Sequence, residues 1–180
     1  TEIKKSQDLG MRAAAGVLDE RFEEFSKIFG RKYSRVMCDG TEGADTVVVC
    51  MGSMSGTVQH VVHQLRAEGK KVGIARVVAF RPFPQKDLAK ALKGAKNVVV
   101  IDRVSAMGSM GPLYEETLAS LKLSGNNANA YSFVAGLGGR DIWEQTVEDV
   151  FAKAEELGAK NATCDEPIWI DLKESEVRSN

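Results

Sequence analysis

The segment Thr46-Val47-Val48-Val49-Cys50-Met51 is a continuous apolar run without polar alternation. That is the pattern of a strand covered on both faces. Gly52-Ser53-Met54-Ser55-Gly56 then turns into a helix bearing Val58, Val61, Val62 and Leu65, ended by Gly69. The same succession repeats. Lys71 to Ala79 reads as a strand led by Val72, Ile74, Val77 and Val78. Pro84 opens a helix with Leu88, Ala89 and Leu92, stopped by Gly94. Asn97 to Asp102 is a third buried strand, followed by a helix opened by Pro112 that carries Leu113, Thr117, Leu118 and Leu121. Shorter strands are expected at Tyr33–Cys38 and Tyr131–Val134. Alternating strands and helices predict the α/β class with a largely parallel sheet. Right-handed crossovers place helices on both faces, giving a three-layer α/β/α arrangement.

Both ends lie outside this alternation. Leu9 to Phe29 reads as an amphipathic helix through Ala14, Leu18, Phe22 or Phe25, and Phe29, with Gly30 as its stop. The polar opening Thr1 to Asp8, which lacks an initial Met, reads as an interdomain linker of a longer polypeptide. The last long helix is expected to begin with a capping box between Asp141 and Glu144. Trp143, Val147, Val150, Ala154 and Leu157 would form its apolar stripe, with Gly158 as its end. The expected division is a linker and N-terminal helix (1–32), an α/β domain (33–158) and a tail (159–180). The tail carries one apolar patch, Pro167-Ile168-Trp169-Ile170, suited to packing on a neighbour.

The chain has 180 residues, 43% of them hydrophobic and 27% charged, with a formal net charge of −1. Scattered basic residues argue against nucleic acid or an anionic membrane as partner. No apolar run approaches the roughly 20 residues a membrane span requires. Cys38, Cys50 and Cys164 are few, odd in number and widely spaced, which argues for a reducing cytoplasm. Without a CxxC pair, no iron–sulfur ligand set is expected from this chain.

In a parallel sheet the C-terminal strand ends share one edge, where open α/β folds place ligands. That edge would hold Gly52 and Ser53, the rigid loop Arg81-Pro82-Phe83-Pro84, Asp102 and Arg103, the turn at Gly108 and Gly111, and the loop Gly138-Gly139-Arg140. Its arginines could clamp a carboxylate or phosphate, or hold a neighbouring domain through ion pairs. The glycine groups lack the Walker lysine and the G-x-G-x-x-G spacing. Pro112 also removes a donor from the helix start that follows Gly111. Two prolines make Arg81–Pro84 an extended exit from its strand, with Phe83 needing cover. His60 and His63, three apart on a helix, lack further ligands spaced to complete a metal site. Met107 and Met110 read as gap fillers.

Taken together, Phe29-Gly30-Arg31-Lys32-Tyr33, Gly52-Ser53, Leu65-Arg66-Ala67-Glu68-Gly69, Val72-Gly73, Phe80-Arg81-Pro82-Phe83-Pro84, Asp102-Arg103, Gly108, Gly111-Pro112-Leu113-Tyr114 and Gly136-Leu137-Gly138-Gly139-Arg140-Asp141-Ile142 carry a resemblance. The chain resembles, from about Phe25 to Phe151, the transketolase C-terminal-like domain of 2-oxoacid:ferredoxin oxidoreductase alpha subunits, the pyruvate enzyme among them. The resemblance implies a five-stranded mixed sheet of order 1-3-2-4-5 with the first strand antiparallel. It also implies a crevice between Gly52–Gly56 and Asp102–Gly111. For the parent enzyme it implies oxidative decarboxylation of a 2-oxoacid to an acyl-CoA, with thiamine diphosphate, magnesium, iron–sulfur clusters and coenzyme A as cosubstrate. Electrons would pass to ferredoxin or flavodoxin. The GDG…N pattern that anchors the diphosphate is missing from this sequence, so no catalytic, cofactor-binding or metal residue carries over. The implied role is noncatalytic and assembly-forming. An anion- or coenzyme A-binding module, and the matching domain of another thiamine enzyme, stand as alternatives.

Overall fold

The computed structural model describes residues 1–178. Its core is a mixed sheet of β1 (Val36–Asp39), β2 (Thr46–Met51), β3 (Val72–Val77), β4 (Asn97–Asp102), β5 (Asn129–Val134) and β6 (Ile168–Trp169). The order is β1-β3-β2-β4-β5-β6. β1 runs antiparallel to β3 and every other pair is parallel. The sheet therefore has six strands rather than the expected five. The sixth is Ile168-Trp169, which pairs with Phe133-Val134 of its own chain. The apolar patch of the tail thus pairs along the edge of β5.

α2 (Met54–Ala67) and α5 (Glu144–Ala159) cover one face of the sheet. α3 (Gln85–Ala91) and α4 (Pro112–Leu123) cover the other. Alternation along β2 and β4 divides the core. Val48, Cys50, Val99 and Ile101 face α2 and α5, whereas Val47, Val49, Val98 and Val100 face α3 and α4. Full burial of each such side chain is worth about 1.5–3 kcal/mol. This explains why these strands read as unbroken apolar runs.

α1 (Glu2–Phe29) starts at Glu2, within the segment read as a linker, and ends where Gly30 takes the left-handed conformation and donates its N–H to Ser26 O. Lys5, Asp8 and Arg12 are linked across its first turns, and such pairs support a helix in a polar stretch. Only its C-terminal part meets the domain. The Phe22 and Phe25 rings lie 6.4 and 5.4 Å from Tyr33. Arg35 pairs with Asp19 of α1 at 2.9 Å and with Asp87 of α3 at 3.0 Å.

α5 also begins differently from expectation. Its N-cap is Trp143, whose N–H donates to Thr146 Oγ1 at 3.2 Å. Thr146 in turn donates to Asp171 Oδ2 at 2.7 Å. Asp141 is left in the preceding loop, and Trp143 stands 67% exposed rather than in the apolar stripe. The loop that leaves β1 is held by Arg66, which donates to Gly40 O and to Val72 O at the start of β3. A Cβ on Gly73 would sit 2.6 Å from Gly40 O, a main-chain atom that cannot rotate away. Gly73→Ala is therefore expected to destabilise the domain by about 1–3 kcal/mol, read as a lowered urea midpoint at unchanged slope.

Candidate functional site

The C-terminal ends of β2 to β6 lie along one edge, and the strand order reverses there, with β3 on one side of β2 and β4 on the other. Gly52 (φ 75°) and Ser53 lead β2 into α2, and both are exposed. The Ser55 hydroxyl donates to Gly52 O at 2.7 Å and tightens this turn.

On the other side of the reversal, the chain has filled its own anion position. Asp102, only 4% exposed at the end of β4, accepts the amides of Leu113 on Oδ1 and Tyr114 on Oδ2, each at 3.2 Å. These are free N–H groups of the first turn of α4, whose partial positive charge favours a carboxylate. Pro112 occupies the first helical position, where its missing N–H costs nothing. Gly111 is fixed by contact: a Cβ there would overlap Asp102 Oδ2 and Cγ. Burial pushes the Asp102 carboxyl pKa up, and the two amides pull it back part of the way. The residues do not suit a bound diphosphate at this helix start, because its donors already serve a buried carboxylate.

The arginines are also engaged by their own chain. Arg81 stacks over Phe80, its guanidinium 4.3 Å from the ring centroid, and pairs with Glu116 of α4 at 2.6 Å. Its peptide bond to Pro82 is cis. Phe83 finds its cover within the domain, packed edge-on against Phe80 at 5.6 Å and against the α3–α4 core. Arg103 donates from Nε and an Nη to Gly136 O at 3.3 and 3.2 Å. Arg140 donates to Asp171 O. Gly138 and Gly139 (φ 63° and 80°) stand exposed in the same loop as Arg140. A cavity of about 160 Å³ on this edge is lined by Gly136, Leu137, Arg140, Trp169 and Leu172, away from the β2–β4 reversal.

Large apolar side chains stand free on the same edge. Met107, beside Gly108 (φ 75°), is 91% exposed, and Trp143 and Val104 join it. Met110 does fill a gap, against the α3–α4 core, but Met107 does not. Glu116, which reads in the sequence as a carboxylate of a solvated helix face, and Thr146 and Asp171, which do not stand out there, hold this edge together. Each is an ordinary polar residue whose partner lies in another element.

The histidines have local roles. His63 meets Asp39 Oδ2 at 2.7 Å, where Gln59 also donates at 2.7 Å, and His60 lies 3.4 Å from Glu144. Among the described residues no group of three or more His, Cys, Asp or Glu is placed to hold a metal ion.

The region 44–150 matches the family model described as pyruvate:ferredoxin oxidoreductase core domain II. The chain belongs to this family. It is 36% identical to pyruvate synthase subunit PorA of Methanocaldococcus jannaschii over 96% of its own length and 43% of that protein. It is 38% identical to PorA of Thermotoga maritima, again over 96% and 43%. It is 40% identical to ketoisovalerate oxidoreductase subunit VorA of Pyrococcus horikoshii over 84% and 39%. The chain thus spans less than half the length of these relatives. A solved 2-oxoglutarate:ferredoxin oxidoreductase from Magnetococcus marinus shares the fold, with a TM-score of 0.54 and 19% identity over 73% of this chain and 21% of that one.

Two predictions follow from the contacts at β4 and β1. Asp102→Ala strands two amides and should cost about 2–4 kcal/mol. Gly111→Ala should cost a similar amount by overpacking. The double variant should cost less than the sum, because removing the carboxylate relieves the overlap; urea unfolding of all four proteins checks this. For Asp39, the Gln59 and His63 contacts lower the carboxyl pKa in the folded state. Its contribution to stability is then present above the unfolded carboxylate value near pH 4 and lost as pH falls through the lowered one. Asp39→Asn should flatten the urea midpoint against pH in that acid window.

Proposed function

We propose that this chain is the noncatalytic, assembly-forming domain of a 2-oxoacid:ferredoxin oxidoreductase alpha subunit. The match of residues 44–150 to core domain II carries this reading, together with relatives named for pyruvate and ketoisovalerate chemistry. The parent enzyme would convert a 2-oxoacid, with pyruvate the first candidate, to an acyl-CoA and pass electrons to ferredoxin or flavodoxin in the cytoplasm. Thiamine diphosphate, magnesium, iron–sulfur clusters and coenzyme A would be held by other parts of that enzyme. No helix of the described residues is long and apolar enough to cross a membrane.

The functional edge is proposed as a contact surface for those other parts, made by Gly52, Ser53, Arg81, Pro82, Phe83, Arg103, Gly108, Gly138, Gly139 and Arg140, with the buried Asp102 and Gly111 fixing it from beneath rather than facing a partner. Three features favour contact over an anion clamp. Arg81 is neutralised by Glu116, the α4 helix start is occupied by Asp102, and Met107 and Trp143 project uncovered. Residues 33–158 would be the folded unit, 1–32 its connection and 159–180 a tail that completes the sheet.

The test is coenzyme A-dependent viologen reduction by the parent subunit, recovered anaerobically with its native partners. Pyruvate, 2-oxoglutarate, 2-oxoisovalerate and indolepyruvate would be compared. Turnover of one acid is expected. A cluster-loaded complex inert toward all four would overturn the reading.

A further inference from the structure

The loop from Gly136 to Trp143 joins β5 to α5 and supplies part of the contact edge, yet its own sequence does little to fix its shape. Gly138 and Gly139 take φ of 63° and 80°, a region that glycine enters about as readily as the ordinary one. Inside the loop, the Arg140 N–H donates to Leu137 O at 3.1 Å. Arg103 holds Gly136 O, and Ile142 packs on the core beneath α2 and α5. The other polar contacts of this segment run to the tail, and they converge on one residue.

That residue is Asp171. Its main-chain oxygen accepts from Arg140, and its Oδ2 accepts the Thr146 hydroxyl at 2.7 Å. Thr146 has one hydroxyl hydrogen, so giving it to Asp171 turns the oxygen lone pairs toward the Trp143 N–H at 3.2 Å. Asp171 thus holds the loop directly at Arg140 and, through Thr146, at Trp143. Thr146 is 3% exposed, and its carboxylate partner lies at the first turn of α5, where free N–H groups favour negative charge. Asp171 reaches both partners from a backbone with φ of 58°. Outside glycine that region is uncommon, and Asp and Asn enter it most easily.

The tail that delivers Asp171 is lightly seated. β6 is two residues long, and the Ile170 N–H adds one bond to Val134 O at 3.0 Å. Ile168 and Ile170 rest on the core. Between tail and loop lies the cavity of about 160 Å³ lined by Leu137, Arg140, Trp169 and Leu172. Polar contacts rather than close packing therefore join the two segments there.

We propose that Pro167–Leu172 is a strap that sets the shape of the Gly136–Trp143 loop, with Asp171 as its positioning residue. The loop keeps its form only while the strap is seated, so the tail governs how Gly138, Gly139 and Arg140 meet a neighbour. The consequence for assembly rests on the contact-surface reading above; the coupling of strap to loop does not.

Asp171→Gly tests the coupling, because glycine keeps the left-handed backbone and removes the carboxylate. Amide exchange is followed across the full chain by mass spectrometry. Exchange in residues 137–146 should speed up about tenfold, as expected for the loss of one charge-assisted hydrogen bond, while β2 and β4 keep their protection. Thr146→Val should loosen the same segment, and the double variant should add little to either single change. Unchanged exchange in the loop would overturn the proposal. So would a loosening shared equally by β2 and β4, which is what a merely structural role produces, or effects that simply add in the double variant. The parent enzyme, recovered with its partners, separates this from the contact reading: Asp171→Gly should weaken its subunit association about tenfold, read by sedimentation. A loosened loop with association unchanged would leave the strap standing and sink the contact reading of this part of the edge.

Discussion

One buried carboxylate organises the edge on which the function reading depends. Asp102 ends the strand beside the centre of the sheet and holds two amides of the α4 first turn. It therefore joins β4 to the helix that follows across a loop of nine residues, 103–111. That single contact requires Gly111, because any side chain there would enter the carboxylate. It also makes Pro112 acceptable, because the donors in use are those of the next two residues. α4 in turn presents Glu116 to Arg81, so the Arg81–Pro84 loop at the end of β3 is positioned from β4 through one helix. The second loop, after β5, is tied in through Arg103 to Gly136.

This arrangement spends polar groups on internal positioning that could otherwise have gone to a ligand. Helix N-termini at the C-terminal edge of a parallel sheet are ready-made anion sites. Here the α4 terminus carries the protein's own anion, and all three edge arginines donate to main-chain carbonyls. What remains directed outward is apolar or conformationally set: Met107, Trp143 and the glycine-rich turn before Arg140. Such a surface has the character of a contact face, in keeping with the role proposed above.

Much of the fold was legible because doubly covered strands leave a strong record. Val47–Val49 and Val98–Ile101 have apolar side chains on both faces, and their short, β-branched runs between turn residues read as strands. β6 left no such record: two residues have no period, and only the neighbouring Phe133-Val134 edge turns Ile168-Trp169 into a strand. The first turns of α1 were masked by their polarity, although their charges pair along the helix. Asp141 and Glu144 had the spacing of a capping box, but Asp171 takes Thr146 from the tail, and the helix begins at Glu144 instead. At the candidate site the sequence showed the right residue types at the strand ends but not their engagements. Asp102 followed by Gly111-Pro112 is the one signal in the sequence that points to the β4–α4 contact.

The central claim is that the C-terminal edge is a contact surface inside a larger oxidoreductase. Hydroxyl-radical footprinting of Met107, Trp143 and Trp169, in this chain alone and in the assembled parent enzyme, tests it most directly. The account predicts rapid oxidation of all three in the isolated chain and strong protection of Met107 and Trp143 on assembly. Equal oxidation in both states would contradict it and leave the edge open to solvent and to ligands.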